Sequence, residues 1–312
     1  MSDTPDEPGD DVSTRRTSTA TSDAELSTEA LAWGVGLFVA FGVGFVFTLF
    51  LAAQFVTGGA GGGSGLFGGL GAQSGFAFAV LLSPFAAVLV GSFVARDDAE
   101  GSAVLDAGVG SALGFVVMFF VTLVLAASLN GSSGGVFGVG PLVGFVVGTG
   151  ITGAAAAFVM ENRETAFGRP TDGSLRGPLV LGVGVFVAFA IGYAVTVFLA
   201  GALSGGEGIG LRNLGFGSVA VALALGLMFS PVVAVVVGSF TGRESVDATE
   251  GGVSGGVASG VGALVLVVLV YVLIAILQPS GVTADDLSLG PLVGFVVGTG
   301  ITGAIAGYAA GR

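Results

Sequence analysis

Two dipeptides in this chain have the residue types and spacing to do something chemical: Ser83-Pro84 and Ser230-Pro231. Inside a helix each proline removes one backbone hydrogen bond and crowds the carbonyl four residues earlier, at Val80 or Leu227, so the chain bends and acceptors are freed. Each proline stands twelve residues before an arginine, Arg96 or Arg243 (96 − 84 = 243 − 231 = 12). At about 1.5 Å per residue, both prolines then lie roughly 18 Å along a helix from the arginine, near the middle of a ~30 Å hydrocarbon core if the arginine marks its edge. In lipid, freed carbonyls need donors, and the adjacent serine hydroxyls are the nearest. Paired interruptions at the midplane point to a binding site in repeat transporters, and they are equally at home in densely packed membrane helices.

Other chemistries find few residues to work with. Gly148-Thr149-Gly150-Ile151-Thr152-Gly153 has the form G-x-G-x-x-G, but the dinucleotide fingerprint needs a preceding strand, a soluble helix after it and an acidic residue on a second strand. Here it lies inside an apolar run, where close helix packing accounts for the glycines. The chain has no His and no Cys, which removes a Ser–His dyad, the usual metalloprotease ligands, thiolate metal sites and disulfides. No catalytic, cofactor-binding or metal-binding residue is therefore assigned. An aspartyl mechanism needs two facing carboxylates, yet the only acid near a span is Asp106. It reads as a first-turn residue favoured by the helix dipole, and at an offset of 150 its counterpart is Gly256. No ionisable residue lies deep in a span, which argues against proton-coupled or charge-moving transport. Tyr193 and Tyr271 do fall inside spans, where each phenol wants a carbonyl or threonine partner, or else lines a polar cavity.

The elements that must carry these residues are set by a stretch that occurs twice. GPLVGFVVGTGITGA fills 140–154 and again 290–304, fifteen identities at an offset of 150 (290 − 140), so the chain is read as an internal duplication. Within each copy small residues recur every four positions: Gly144, Gly148 and Thr152, then Gly294, Gly298 and Thr302. Such a stripe lets another helix approach closely, and Leu at Gly148 or Gly298 is expected to force the packed helices apart. The composition, 53% hydrophobic and 10% charged with the apolar residues in long runs, is that of a polytopic membrane protein.

Eight apolar segments are each near the ~20 residues that span a bilayer. They cover 31–52, 76–94, 107–129 and 140–159, then 178–200, 219–240, 252–277 and 290–308. GVGLFVAFGVG from Gly34 answers GVGVFVAFAIG from Gly182, and SPFAAVLVGSF from Ser83 answers SPVVAVVVGSF from Ser230. The expected fold is an all-α membrane bundle of eight transmembrane helices, as two parallel four-helix repeats. An even number of spans per half makes both halves enter in the same sense. The corresponding domains are a disordered acidic tail over 1–30, repeat 1 over 31–160, a linker over 161–177 and repeat 2 over 178–312.

All nine basic residues are arginines against 21 acids, a net charge of −12 that argues against nucleic-acid binding. In the eight-span arrangement every arginine but Arg212 falls on the side of the two termini, which the positive-inside tendency makes cytoplasmic. The Arg15-Arg16 pair has the look of a twin-arginine export signal, but the first hydrophobic run begins only at Leu31, so a cytoplasmic tail is the better reading. TGGAGGGSGLFGGLGAQSG from Thr57 reads as a flexible external loop, with a lid or re-entrant segment as the alternative. Lysine-free, acidic soluble segments joined to a Gly/Ala/Val membrane part resemble the proteins of extremely halophilic archaea. The chain as a whole is similar to an uncharacterised multi-pass membrane family of theirs, a resemblance of composition that implies no activity.

The function expected is that of a bundle in the cell membrane, without catalytic residues or cofactors, that packs helices or associates with partners. The lipid bilayer is one partner, and a homo-oligomer or another membrane protein is left open. The rival is a passive or weakly coupled permease for a small neutral solute with its site at the repeat interface. A continuous polar cavity lined by Ser83, Ser230, Thr149 and Thr299 would favour the rival, and a dry, packed interface the bundle. An intramembrane enzyme is the third class and lacks acid–base groups.

Overall fold

In the computed structural model the described residues are 27–57, 72–97, 103–130, 139–162, 175–203, 219–277 and 289–312. Most of the N-terminal tail, 58–71 of the glycine-rich stretch, Arg212 and the centre of the linker lie outside them, while 72–75, read from the sequence as the end of that loop, are helical. Among the described residues the chain is helical, in the order α1 (Thr28–Thr57), α2 (Ala72–Leu81), α3 (Ser83–Asp97), α4 (Ala103–Asn130) and α5 (Val139–Glu161), then α6 (Arg176–Ala202), α7 (Val219–Glu244), α8 (Ala248–Leu277) and α9 (Leu289–Ala310).

Six of these, α1, α4, α5, α6, α8 and α9, contain stretches long and apolar enough to cross a membrane, as a multi-pass membrane protein requires. Helices suit such a setting because every interior backbone group is satisfied within its own segment. The outward faces carry large apolar side chains at helical spacing: Val117, Phe120, Val121 and Val124 on α4, and Leu264, Val268 and Val272 on α8. Water would penalise such a surface, whereas lipid does not.

The second segment, read from the sequence as one span over 76–94, is two helices meeting at Leu82, and the apolar part of α3 is the short stretch Ser83–Ala95. Its counterpart α7 stays helical through Pro231. One chain reversal is fully visible. Asp247 caps α8 by accepting from the Glu250 N–H at 2.8 Å, and the Glu250 carboxylate reaches back to the Val246 N–H at 3.2 Å, a reciprocal arrangement that starts the helix directly after α7.

Glycine sets how closely the helices lie. A methyl group added at Gly34 would meet the Gly110 backbone, and one at Gly114 would strike the Phe38 ring, so α1 and α4 run in the same direction. The second half repeats this register, with Gly182 on the Ala258 backbone and the Phe186 ring in the space over Gly262, between α6 and α8. Gly91 of α3 lies on Gly153 and Ala156 of α5, as Gly238 of α7 lies on Gly303 and Ala306 of α9. Gly153 packs on Ser111 and Ala107 of α4, and Gly303 on Ser259 and Gly255 of α8. These approaches correct one correspondence drawn from the sequence. Packing aligns Gly34 with Gly182 and Gly114 with Gly262, an offset of 148 (182 − 34 = 262 − 114), so Ser254 and not Gly256 stands where the first half has Asp106. An offset taken from the fourth segment does not transfer to the third, because loop lengths differ between the halves.

Candidate functional site

The two Ser-Pro pairs occupy different local structures. Pro84 has no N–H to offer the Val80 carbonyl, and the Ser83 hydroxyl donates to that carbonyl at 2.7 Å. The backbone recovers around the break, where the Leu82 N–H reaches the Phe78 carbonyl and the Phe85 N–H reaches the Leu82 carbonyl, both at 2.9 Å. In α7 the Ser230 hydroxyl instead faces the Thr299 hydroxyl of α9 at 3.3 Å. Ser83, Ser230, Thr149 and Thr299 are all fully buried. Thr149, which answers Thr299 in the first half, donates to the Phe145 carbonyl at 2.8 Å along its own helix. Of these four residues the structure therefore joins only Ser230 and Thr299, and the hydroxyls of Ser83 and Thr149 are engaged by backbone.

The space between the halves beside Ser83-Pro84 is filled with rings. Phe85 of α3 lies 4.2 Å, centroid to centroid, from Phe189 of α6, which in turn lies 5.5 Å from Tyr193. All three are buried in one apolar cluster. Pairs of this kind add to the burial of their area, and here they bring α3 and α6 into apolar contact beside the break.

The main junction is α5 against α6, and here the repeated stripe has its role. Gly144, Gly148 and Thr152 are buried. A methyl added at Gly148 would run into Thr196, and one added at Gly192 into Thr152, so glycine and threonine alternate reciprocally across two antiparallel helices. The threonine hydroxyls point along their own helices, Thr152 to the Gly148 carbonyl and Thr196 to the Gly192 carbonyl, each at 2.7 Å. The G-x-G-x-x-G string is helical from end to end within α5. In α9 the same fifteen residues are placed otherwise: among the described residues nothing lies within 4 Å of a methyl added at the exposed Gly294 or Gly298, and Thr302 is half-buried.

Asp106 is fully buried near the start of α4, and its carboxylate accepts from the Ser27 N–H at 3.3 Å, just ahead of α1. A carboxylate beside the open N–H groups of a helix start is favourably placed, which ties α4 to the entry of α1. At the matching position Ser254 donates to the Gly251 carbonyl at 3.2 Å and lies 3.4 Å from the Ser245 hydroxyl. Among the described residues no three acidic side chains gather closely enough to hold a metal ion. Sequence reasoning missed that Phe85, Phe189 and Tyr193 come together; the aromatics in SPF and at Phe189, with Tyr193 inside a span, were its signal. No protein-family model, curated protein or solved structure matches this chain.

Proposed function

We propose that the chain is an integral membrane protein of eight crossings, two parallel four-helix repeats, whose work is helix packing and association within the bilayer without catalysis or cofactor. The observation that carries this is the state of the candidate site: its four hydroxyls are buried, two of them on backbone carbonyls and two on each other, and rings fill the junction beside it. A polar path for a solute would need those hydroxyls turned toward open space.

The directions of the packed helices support eight crossings. With α2 and α3 counted as one crossing, α1 runs with α4, α6 with α8 and α7 with α9, while α5 opposes both α4 and α6. Strict alternation through a membrane demands that pattern. The same set of helix pairs touches in each half, which supports a duplicated unit. The arginine bias supports cytoplasmic termini in the cell membrane, and the acidic, lysine-free composition supports a halophilic archaeal source.

One observation favours the permease as a second reading: the interruption at Leu82, since discontinuous helices build many transporter sites. Proteoliposome flux separates the two. The packing reading expects no flux above empty liposomes across neutral, anionic and cationic solute panels. Flux of any neutral solute that falls in Ser83→Ala would replace it with the permease.

A further inference from the structure

We infer that copies of this chain assemble with one another, α9 of one copy packing against α1 of the next through the contact that α5 and α6 make within a single chain. This rests on the membrane reading above. The starting point is an identical sequence in two surroundings. Over 140–154 the stripe is covered by α6, and over 290–304 the same residues are uncovered among the described residues.

The covering surface exists in a second version as well. Aligning GVGLFVAFGVG with GVGVFVAFAIG puts Gly44 and Thr48 of α1 where α6 has Gly192 and Thr196, and Gly36 where α6 has Gly184. In α6, Gly192 receives Thr152, Thr196 fits over Gly148, and Gly184 receives Val159. In α1, Gly36 and Gly44 are exposed with nothing among the described residues within 4 Å of an added methyl, and Thr48 is exposed. Both partners of one known contact are thus present and open on helices at opposite ends of the chain. The occupant that fits each face residue for residue is the other face of a second copy: Gly298 against Thr48, Thr302 against Gly44, and Ala309 against Gly36.

The geometry suits a membrane. α5 and α6 are antiparallel, and in an eight-crossing chain α9 and α1 are too, so both copies insert in the same sense. The contact is heterologous, giving a ring where the rotation closes and a chain of copies where it does not.

The absence of cysteine makes the test clean. The Val159 Cβ lies 3.5 Å from the position of a Cβ on Gly184, at the short end of the disulfide range, so Val159→Cys/Gly184→Cys is an intrachain positive control. The test pair is Gly36→Cys in one tagged copy and Ala309→Cys in another, co-expressed and oxidised in native membranes. The expected result is a disulfide-linked dimer carrying both tags, absent when Val268→Cys replaces Ala309→Cys and lost when Gly298→Leu is added to the Ala309→Cys copy. A yield no higher than the Val268→Cys control overturns the inference, as does an adduct of Ala309→Cys with a different protein. A crosslink that survives Gly298→Leu overturns it too. Resistance of the wild type to alkaline extraction reports separately on the membrane reading: protein that stays in the membrane without crosslinking refutes the assembly alone, and protein that is extracted refutes the reading beneath it.

Discussion

Gly148→Ala and Gly298→Ala change the same residue in the same fifteen-residue context, and the structure assigns them different outcomes. A Cβ at Gly148 would sit 2.6 Å from both the Cα and the Cβ of Thr196. Carbon atoms prefer about 3.5–4.0 Å, so α5 and α6 must separate by about 1 Å, a gap that forfeits a quarter to a half of each affected contact. Rotating the threonine does not relieve a clash with its Cα, and it would break the hydrogen bond to the Gly192 carbonyl. Overpacking of this kind costs about 1–3 kcal/mol, partly offset by up to ~1 kcal/mol from the better helix propensity of alanine. A Cβ at Gly298 meets nothing among the described residues within 4 Å, so only the propensity gain remains. Thermal unfolding of the detergent-solubilised monomer, followed by circular dichroism, should therefore place Gly148→Ala a few degrees below wild type and Gly298→Ala at or slightly above it. Equal shifts for the two variants would refute the claim that α6 covers one copy of the stripe and leaves the other open.

Ser83→Ala removes the donor to the Val80 carbonyl, where Pro84 offers none, and should cost about 1–3 kcal/mol in a denaturant titration. Adding Pro84→Ala supplies an N–H for that carbonyl, so the double variant should recover most of the loss; failure to recover would mean that the hydroxyl does something else. Ser230→Ala gives up only a 3.3 Å contact with Thr299 and should cost less than about 1 kcal/mol by the same titration. Phe189→Ala empties the ring that separates Phe85 from Tyr193 and should lower stability by about 3–5 kcal/mol, seen as reduced yield and melting temperature. Reporters fused after Arg312 or inserted after Asp97 should read cytoplasmic, and one inserted after Asn130 external; any other pattern means that a crossing has been miscounted.

The helices and their apolar character were legible in the sequence because long unbroken apolar runs admit few structures other than a membrane helix. So was the engagement of Ser83, since a proline removes a donor at a known distance and the nearest hydroxyl lies beside it. Other features depended on neighbours that a linear pattern does not name. The spacing of Gly144, Gly148 and Thr152 marks a face on which a helix can lie, but the identical spacing of Gly294, Gly298 and Thr302 carries no word of whether a helix lies there. The two Ser-Pro pairs look alike in the sequence, yet the first accompanies a break at Leu82 and the second sits in an unbroken helix with its hydroxyl turned to Thr299. What surrounds a proline decides whether the freed carbonyl is served locally or across helices. Asp106 was legible as a first-turn acid, but its bond to the Ser27 N–H required knowing that α4 lies beside the entry of α1.

The open stripe also poses an energetic question that the covered one answers. Glycine in a helix interior costs about 1 kcal/mol relative to alanine, because it gives up the most backbone freedom and buries no side chain. At Gly148 and Gly192 that cost is offset, since any larger residue would drive α5 from α6 and forfeit the contact on both sides. At Gly294, Gly298, Gly36 and Gly44 nothing among the described residues within 4 Å collects such a return. The single chain thus carries the cost of two interfaces and the benefit of one. Packing α9 of one copy on α1 of another is the arrangement in which all six of these glycines and threonines across the second contact, Gly36, Gly44, Thr48, Gly294, Gly298 and Thr302, would be placed as their counterparts are. Helix association in lipid draws on close van der Waals approach and not on the expulsion of water, so the loss of that approach at these positions is also what would keep the copies apart.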